Sequence, residues 1–135
     1  MKTLIAVLLS GTLWLTFAMA AEETDSINPR ELLDQIRSGS APLILDTRSE
    51  TEFAHGHVPG AVYFPFWKSY WLAEDLRQPK DQTLVVYCEH GPRASLTRFA
   101  LHRRGFTKVL TLSGHMSGWR KAGLPVETAD NAKAQ

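Results

Sequence analysis

Cys88 is the only cysteine among 135 residues, and the chemistry this chain can do gathers round it. Leu84-Val85-Val86-Tyr87 run into it as a strand, Glu89-His90-Gly91-Pro92 form a short polar loop, and a helical pattern opens at Arg93-Ala94. A loop between the end of a buried strand and the start of a helix turns backbone N–H groups inward, and together with the helix dipole these make an anion site. A thiol at the rim of that site, with Arg93 beside it, has its thiolate favoured, so a nucleophile on a turn is the reading. The competing reading, a small buried hydrophobe closing a strand, fits poorly with the polar run Glu89, His90 and Arg93.

Other spacings are weaker. His55 and His57 form a His-x-His pair, but no further ligands stand at a suitable spacing, so a structural turn is expected and no metal. A dithiol mechanism would need a Cys-x-x-Cys or a thiol from another molecule. His90 reads as an exposed loop residue.

Positioning the thiol falls to an alternation of strands and helices. Met1-Lys2-Thr3, an apolar stretch over residues 4–17 and Ala18-Met19-Ala20 read as a secretory signal peptide, residues 1–20, cleaved before Ala21. The apolar run is shorter than the roughly 20 residues needed to cross a bilayer, and no lipid-bearing cysteine follows it. Removing 20 of 135 residues leaves 115, one small domain. Cleavage takes Lys2 from 15 basic residues and leaves 14 against 14 acidic, a balance that points to neither nucleic acid nor, after cleavage, a membrane. In an oxidising compartment outside the cytoplasm a lone cysteine implies a partner elsewhere or a thiol kept for chemistry.

Residues 21–27 read as a flexible lead. Asn28, Pro29 and Glu31 carry the N-cap, first-turn proline and capping position of a helix, with Ile27 and Leu32 as its staple and Gly39 as its stop. Leu43-Ile44-Leu45 is a buried strand ending in Asp46-Thr47-Arg48. Ser49 and Glu52 form a capping box, and Ala61-Val62-Tyr63-Phe64 returns to the sheet. The aromatic segment over residues 64–72 reads as core and helix packing. After the cysteine loop, Leu96, Phe99 and Ala100 mark the apolar face of a helix that Gly105 ends. Lys108 to Leu112 form the next strand, Ser113 to Trp119 a turn into a short helix, and residues 127–135 a disordered tail. The fold class is α/β, with a mostly parallel central sheet flanked by helices, in which ligands bind at the carboxyl ends of strands. Cys88 lies at one such end and Asp46 and Arg48 follow another.

The strand, cysteine loop and helix, taken with Leu45-Asp46-Thr47-Arg48, Glu52-Phe53 and Gly56-His57-Val58-Pro59-Gly60-Ala61, resemble the rhodanese (thiosulfate sulfurtransferase) family, in its single-domain exported form. The resemblance implies a single rhodanese-like domain over residues 28–126. It implies that Cys88 accepts a sulfane sulfur as a persulfide, and that the backbone of Glu89, His90, Gly91, Pro92, Arg93 and Ala94 cradles it. Asp46 and Arg48 correspond to a supporting pair that braces the loop, and residues 57–61 to a structural turn. The implied partners are a small sulfur donor such as thiosulfate and an acceptor, cyanide or a thiol, with a protein acceptor also open. No metal or organic cofactor is required.

Two residues depart from the family pattern. Glu89 puts a negative charge where many members have a neutral or basic side chain, which should disfavour both a thiolate and a dianionic donor. His115 stands where a second glycine often follows Gly114, a change expected to alter that turn without touching the chemistry. Three rivals remain: a cysteine phosphatase or arsenate reductase of the same fold, a non-catalytic binding module, and a metal site. The phosphatase branch has five residues between cysteine and arginine, whereas Cys88 and Arg93 have four.

Overall fold

A computed structural model of the chain describes residues 25–132, so the expected signal peptide at residues 1–20 lies outside the described residues. Five parallel strands, β1 (Ser26–Ile27), β2 (Leu43–Asp46), β3 (Val62–Tyr63), β4 (Leu84–Tyr87) and β5 (Val109–Leu112), form one sheet in the order β1-β5-β4-β2-β3. The helices are α1 (Pro29–Arg37), α2 (Glu50–His55), α3 (Ser69–Asp75), α4 (Pro92–Arg103), α5 (His115–Lys121) and α6 (Ala129–Ala132), and a 3-10 turn (Phe66–Lys68) precedes α3.

β4 is central, and all four of its residues are buried. A strand covered on both faces reads as a continuous apolar run, which is why Leu84 to Tyr87 shows no polar alternation. Its side chains divide between two cores. Val85 and Tyr87 pack with Leu32, Met116 and Trp119 of α1 and α5. Leu84 and Val86 pack with Ala73, Ala94 and Leu101 of α3 and α4, and Cys88 continues on that side.

Local signals fix the helix starts. Asn28 accepts the Arg30 N–H at 2.9 Å, with Pro29 in the first turn, while the exposed Glu31 adds a negative charge there. Ser49 and Glu52 complete their capping box. Gly39 and Gly105, at φ 72° and 91°, carry the left-handed turns that follow α1 and α4.

The structure corrects four expectations. The lead is not frayed at its end, because Ser26–Ile27 pairs with Thr111 and Leu112 of β5. The tail is structured as far as Ala132: Glu127 forms an antiparallel bridge with His57, its carboxylate accepts the Gly60 N–H at 3.0 Å, and α6 follows. The buried face of α4 consists of Ala94, Thr97, Ala100 and Leu101, while Leu96 and Phe99 point to solvent. The aromatic segment buries Phe64 but exposes Trp67, Tyr70 and Trp71. Small residues let α4 lie close to the sheet, and that close approach turns its larger apolar residues outward.

Candidate active site

Strand β4 delivers Cys88 to the carboxyl edge of the sheet, and residues 88–91 join it to α4. Cys88 is 1% exposed, and its Sγ accepts the Gly91 N–H at 2.9 Å. Gly91 sits at φ 131°, in the half of backbone space that glycine enters freely, and caps α4 without a side chain. Pro92 has no N–H, so the unshared amides of the first helical turn begin at Arg93 and Ala94. The carbonyls of the loop turn the other way. Cys88 C=O accepts the Met116 N–H at 2.9 Å and Glu89 C=O accepts the Ser117 N–H at 3.3 Å, so the first turn of α5 ties the loop down.

Behind the loop lies a buried polar cluster. Asp46 is fully buried and accepts from Arg48 through its backbone N–H, Nε and a 2.7 Å contact from NH2, and from the Tyr87 hydroxyl at 2.7 Å. Tyr87 Oη in turn accepts the Val58 N–H at 3.0 Å. Arg48 NH2 also donates to Gly56 C=O at 2.7 Å, and NH1 reaches Glu89 at 3.4 Å. Burial pulls the Arg48 pKa down, and the Asp46 carboxylate more than offsets this, so the guanidinium stays charged. Burial, followed by the Asp46 charge, pushes the Tyr87 hydroxyl well above its ordinary range. Asp46 and Arg48 thus join the carboxyl ends of β2 and β4 to Gly56 and Glu89.

Glu89 does not act as a free negative charge. Its carboxylate is held between Arg48 and Arg120, and the four-residue loop presents its backbone rather than this side chain to Sγ. Arg93 is likewise engaged: NH1 and NH2 donate to the two carboxylate oxygens of Glu52 at 2.7 and 2.9 Å. These bonds raise the Arg93 pKa against the cost of burial, with Cys88 adding a smaller push, and they hold Glu52 down at about 2. Glu52 thus joins its helix cap to the arginine of the loop, a second role that the capping-box spacing did not disclose. His90 is exposed. His55 and His57 turn their Nδ1 atoms to the Thr51 and Phe53 carbonyls, and His57 stacks on Phe53 at 3.8 Å.

One neighbour of the thiol departs from expectation. His115, the first residue of α5, turns toward the loop so that its Nδ1 accepts the Cys88 N–H at 3.3 Å, which places it in the cysteine loop's own hydrogen-bonding network. The sequence signal was a non-glycine residue directly after Gly114, at a position whose backbone is left-handed, φ 53°. A cleft of about 310 Å³, lined by Arg48, Glu52, Glu89, Met116 and Arg120 among others, opens beside the loop. The larger cavity, about 840 Å³, lies at the opposite end of the sheet near Pro42, Gln82 and Lys108. The smaller cleft lies at the carboxyl edge, where ligands of parallel sheets bind, and Cys88 itself does not line it.

A parallel α/β domain with a cysteine held between a strand end and a helix start defines a class of architecture. Within that class the chain belongs to the rhodanese-like family: residues 28–122 match the model of the Rhodanese-like domain. It is 31% identical over 107 residues to the thiosulfate sulfurtransferase GlpE of Actinobacillus succinogenes, covering 79% of this chain and 94% of that protein. It is 32% identical over 110 residues to the probable adenylyltransferase/sulfurtransferase MoeZ of Mycobacterium tuberculosis, covering 80% of this chain but spanning only 28% of MoeZ. The crystal structure of the Alr3790 protein from Anabaena sp. superposes with a TM-score of 0.68 at 25% identity, over 76% of this chain and 91% of that one.

Proposed function

We propose that this protein is a sulfurtransferase that carries sulfane sulfur as a Cys88 persulfide from thiosulfate or a related donor to cyanide or a thiol. The observation that carries the reading is the Gly91 N–H donated to Cys88 Sγ at 2.9 Å, at the mouth of α4. In the first half-reaction the Cys88 thiolate attacks the outer sulfur of thiosulfate. The Sγ–S bond forms, the S–S bond of the donor breaks, and sulfite leaves with the bonding electron pair. Amides at the start of α4 lie where negative charge on the donor and on the persulfide would sit, and charge met by preorganised donors is stabilised best in a dry site. In the second half-reaction the acceptor attacks the outer persulfide sulfur and releases the Cys88 thiolate. Two half-reactions sharing a covalent intermediate give ping-pong kinetics.

Pairing of Glu89 with Arg48 and Arg120 offsets the repulsion that its charge would exert on a dianionic donor, which supports thiosulfate as a substrate. The four residues between Cys88 and Arg93 support sulfur rather than phosphate. The reading also takes the domain to be exported to the periplasm, with cleavage after Ala20.

Intact mass of the purified protein, before and after thiosulfate, tests these points together. The expected result is a chain beginning at Ala21 that gains the mass of one sulfur atom, loses it to dithiothreitol, and shows no gain as Cys88→Ser. Absence of any gain with thiosulfate, polysulfide or mercaptopyruvate overturns the sulfurtransferase reading, and turnover of phosphate or arsenate esters would put the phosphatase branch in its place.

A further inference from the structure

His115 occupies an unusual place. A non-glycine residue with a left-handed backbone is uncommon and persists where its surroundings hold it. Here the preceding Gly114 is also left-handed, at φ 73°, so two successive residues turn the chain back toward the cysteine loop. The ring makes one hydrogen bond to that loop and lies close to its far end. Nδ1 accepts the Cys88 N–H at 3.3 Å, and Nε2 lies 3.3 Å from the point where a side chain on Gly91 would begin. Gly91 is the residue whose N–H holds Cys88 Sγ. One imidazole therefore bonds one end of the turn that aims the nucleophile and leaves little room for a side chain at the other.

We infer that His115 is a positioning residue for Cys88: its neutral ring accepts the Cys88 amide and backs Gly91, which keeps the Gly91 N–H directed at Sγ. The inference deepens the sulfurtransferase reading and rests on it for its catalytic consequence. An Nδ1 that accepts a backbone N–H carries no proton, so the ring is the Nε2–H tautomer. Protonation converts Nδ1 to a donor facing a donor, and the contact is lost. The surrounding groups favour the neutral form. Burial lowers the His115 pKa from 6.5, and His90 on the loop lowers it further. Nearby, Glu89 is paired with Arg120 of the same helix, and Arg93 of α4 with Glu52 of α2, so both charged neighbours have partners of their own.

Asparagine at 115 separates positioning from charge. It tolerates a left-handed backbone and can offer an amide oxygen near the place of Nδ1, but it does not titrate. His115→Gly eases the backbone and removes the acceptor. Two readouts follow. The first is the Cys88 amide resonance in a 1H–15N spectrum recorded against pH, which needs no sulfur chemistry. It should shift with an inflection below 6.5, matching the His115 ring, and lose that inflection in His115→Asn. The second is the rate of persulfide formation with thiosulfate, read by mass. The thiol must be deprotonated and the neutral His115 ring speeds the step, so the acid limb of log rate against pH should be steeper than a slope of about one near the His115 inflection, and fall to about one in His115→Asn. His115→Gly should be slower by about tenfold or more at neutral pH, with His115→Asn restoring most of the rate.

A Cys88 amide that ignores the His115 titration overturns the inference. So do equal slopes in the parent and His115→Asn, or an acid-side rate that is higher with histidine than with asparagine, which would mark imidazolium assistance instead. If the amide titrates as expected and no variant gains sulfur at any pH, the sulfurtransferase reading fails while the hydrogen bond to Cys88 stands.

Discussion

Tyr87, the residue immediately before Cys88, donates its hydroxyl to Asp46 Oδ2 at 2.7 Å across two neighbouring strands. The bond ties the carboxyl end of β4 to that of β2, and through Asp46 to Arg48 and Glu89. Consecutive strand residues point to opposite faces, so Tyr87 anchors in one core while Cys88 turns toward the other. The same strand end thus carries an anchor and the cysteine back to back.

Replacing Tyr87 with phenylalanine tests that anchor. The ring keeps its packing, but the Val58 N–H and one Asp46 oxygen lose a buried partner, which costs about 1–3 kcal/mol. Urea unfolding should show a lower midpoint with an unchanged slope. An unchanged midpoint would mean that Val58 and Asp46 find other partners and that Tyr87 does not brace the loop.

Arg48→Met asks more of the structure. The guanidinium is 2% exposed and faces Asp46, Gly56 C=O and Glu89. Removing it leaves the Asp46 carboxylate buried without its cation, a change that costs about 3–5 kcal/mol. The double variant Asp46→Leu with Arg48→Met should recover much of this loss, because no unpaired charge is left inside. A single variant as stable as the parent would show that water reaches Asp46 and that the pair is not a brace.

These supports differ in how far they could be read from the chain. Helix starts were legible wherever one residue satisfies its own backbone, as Asn28 and Ser49 do, because capping depends on spacings of two or three. Cys88 and its loop were legible for the same reason, since strand, turn glycine and helix start are contiguous. Contacts that close over long stretches were not. The role of Glu52 depends on Arg93, 41 residues away, and the order in Glu127 depends on His57 and Gly60. Composition marks residues 127–132 as polar and says nothing of a bridge. The face of α4 was misread because Leu96 and Phe99 outweigh Ala94, Thr97 and Ala100 on any scale of apolarity, whereas close approach to a sheet selects small side chains.

The Glu52–Arg93 pair predicts an acid limit to stability. Arg93 holds the folded Glu52 pKa at about 2, below its ordinary 4.5. The unfolded chain therefore binds a proton that the folded one does not. The pair's contribution is fully present above 4.5 and is lost as the pH falls toward 2. Melting temperature measured against pH should fall across that window, and less steeply in Glu52→Gln, which retains a capping acceptor but does not ionise. Parallel curves would show that solvent screens the pair and that other carboxylates set the acid limit.

Gly91 and His115 should be coupled in stability. Alanine at 91 must adopt φ 131°, which side chains disfavour, and its methyl would start 3.3 Å from His115 Nε2. The backbone component alone costs about 1–3 kcal/mol. The contact component depends on the ring, so it should vanish when His115 is glycine. In a double-mutant cycle, Gly91→Ala should be less costly in the His115→Gly background than in the parent, by a coupling of about 0.5–3 kcal/mol, with all four proteins compared by denaturant unfolding. Equal costs in both backgrounds would mean that the ring does not rest on Gly91. Were His115 to swing away and make room, alanine would instead cost the ring's hydrogen bond to the Cys88 N–H, so the cycle would still not close to zero, and the Cys88 amide resonance would move in Gly91→Ala where a held ring leaves it in place.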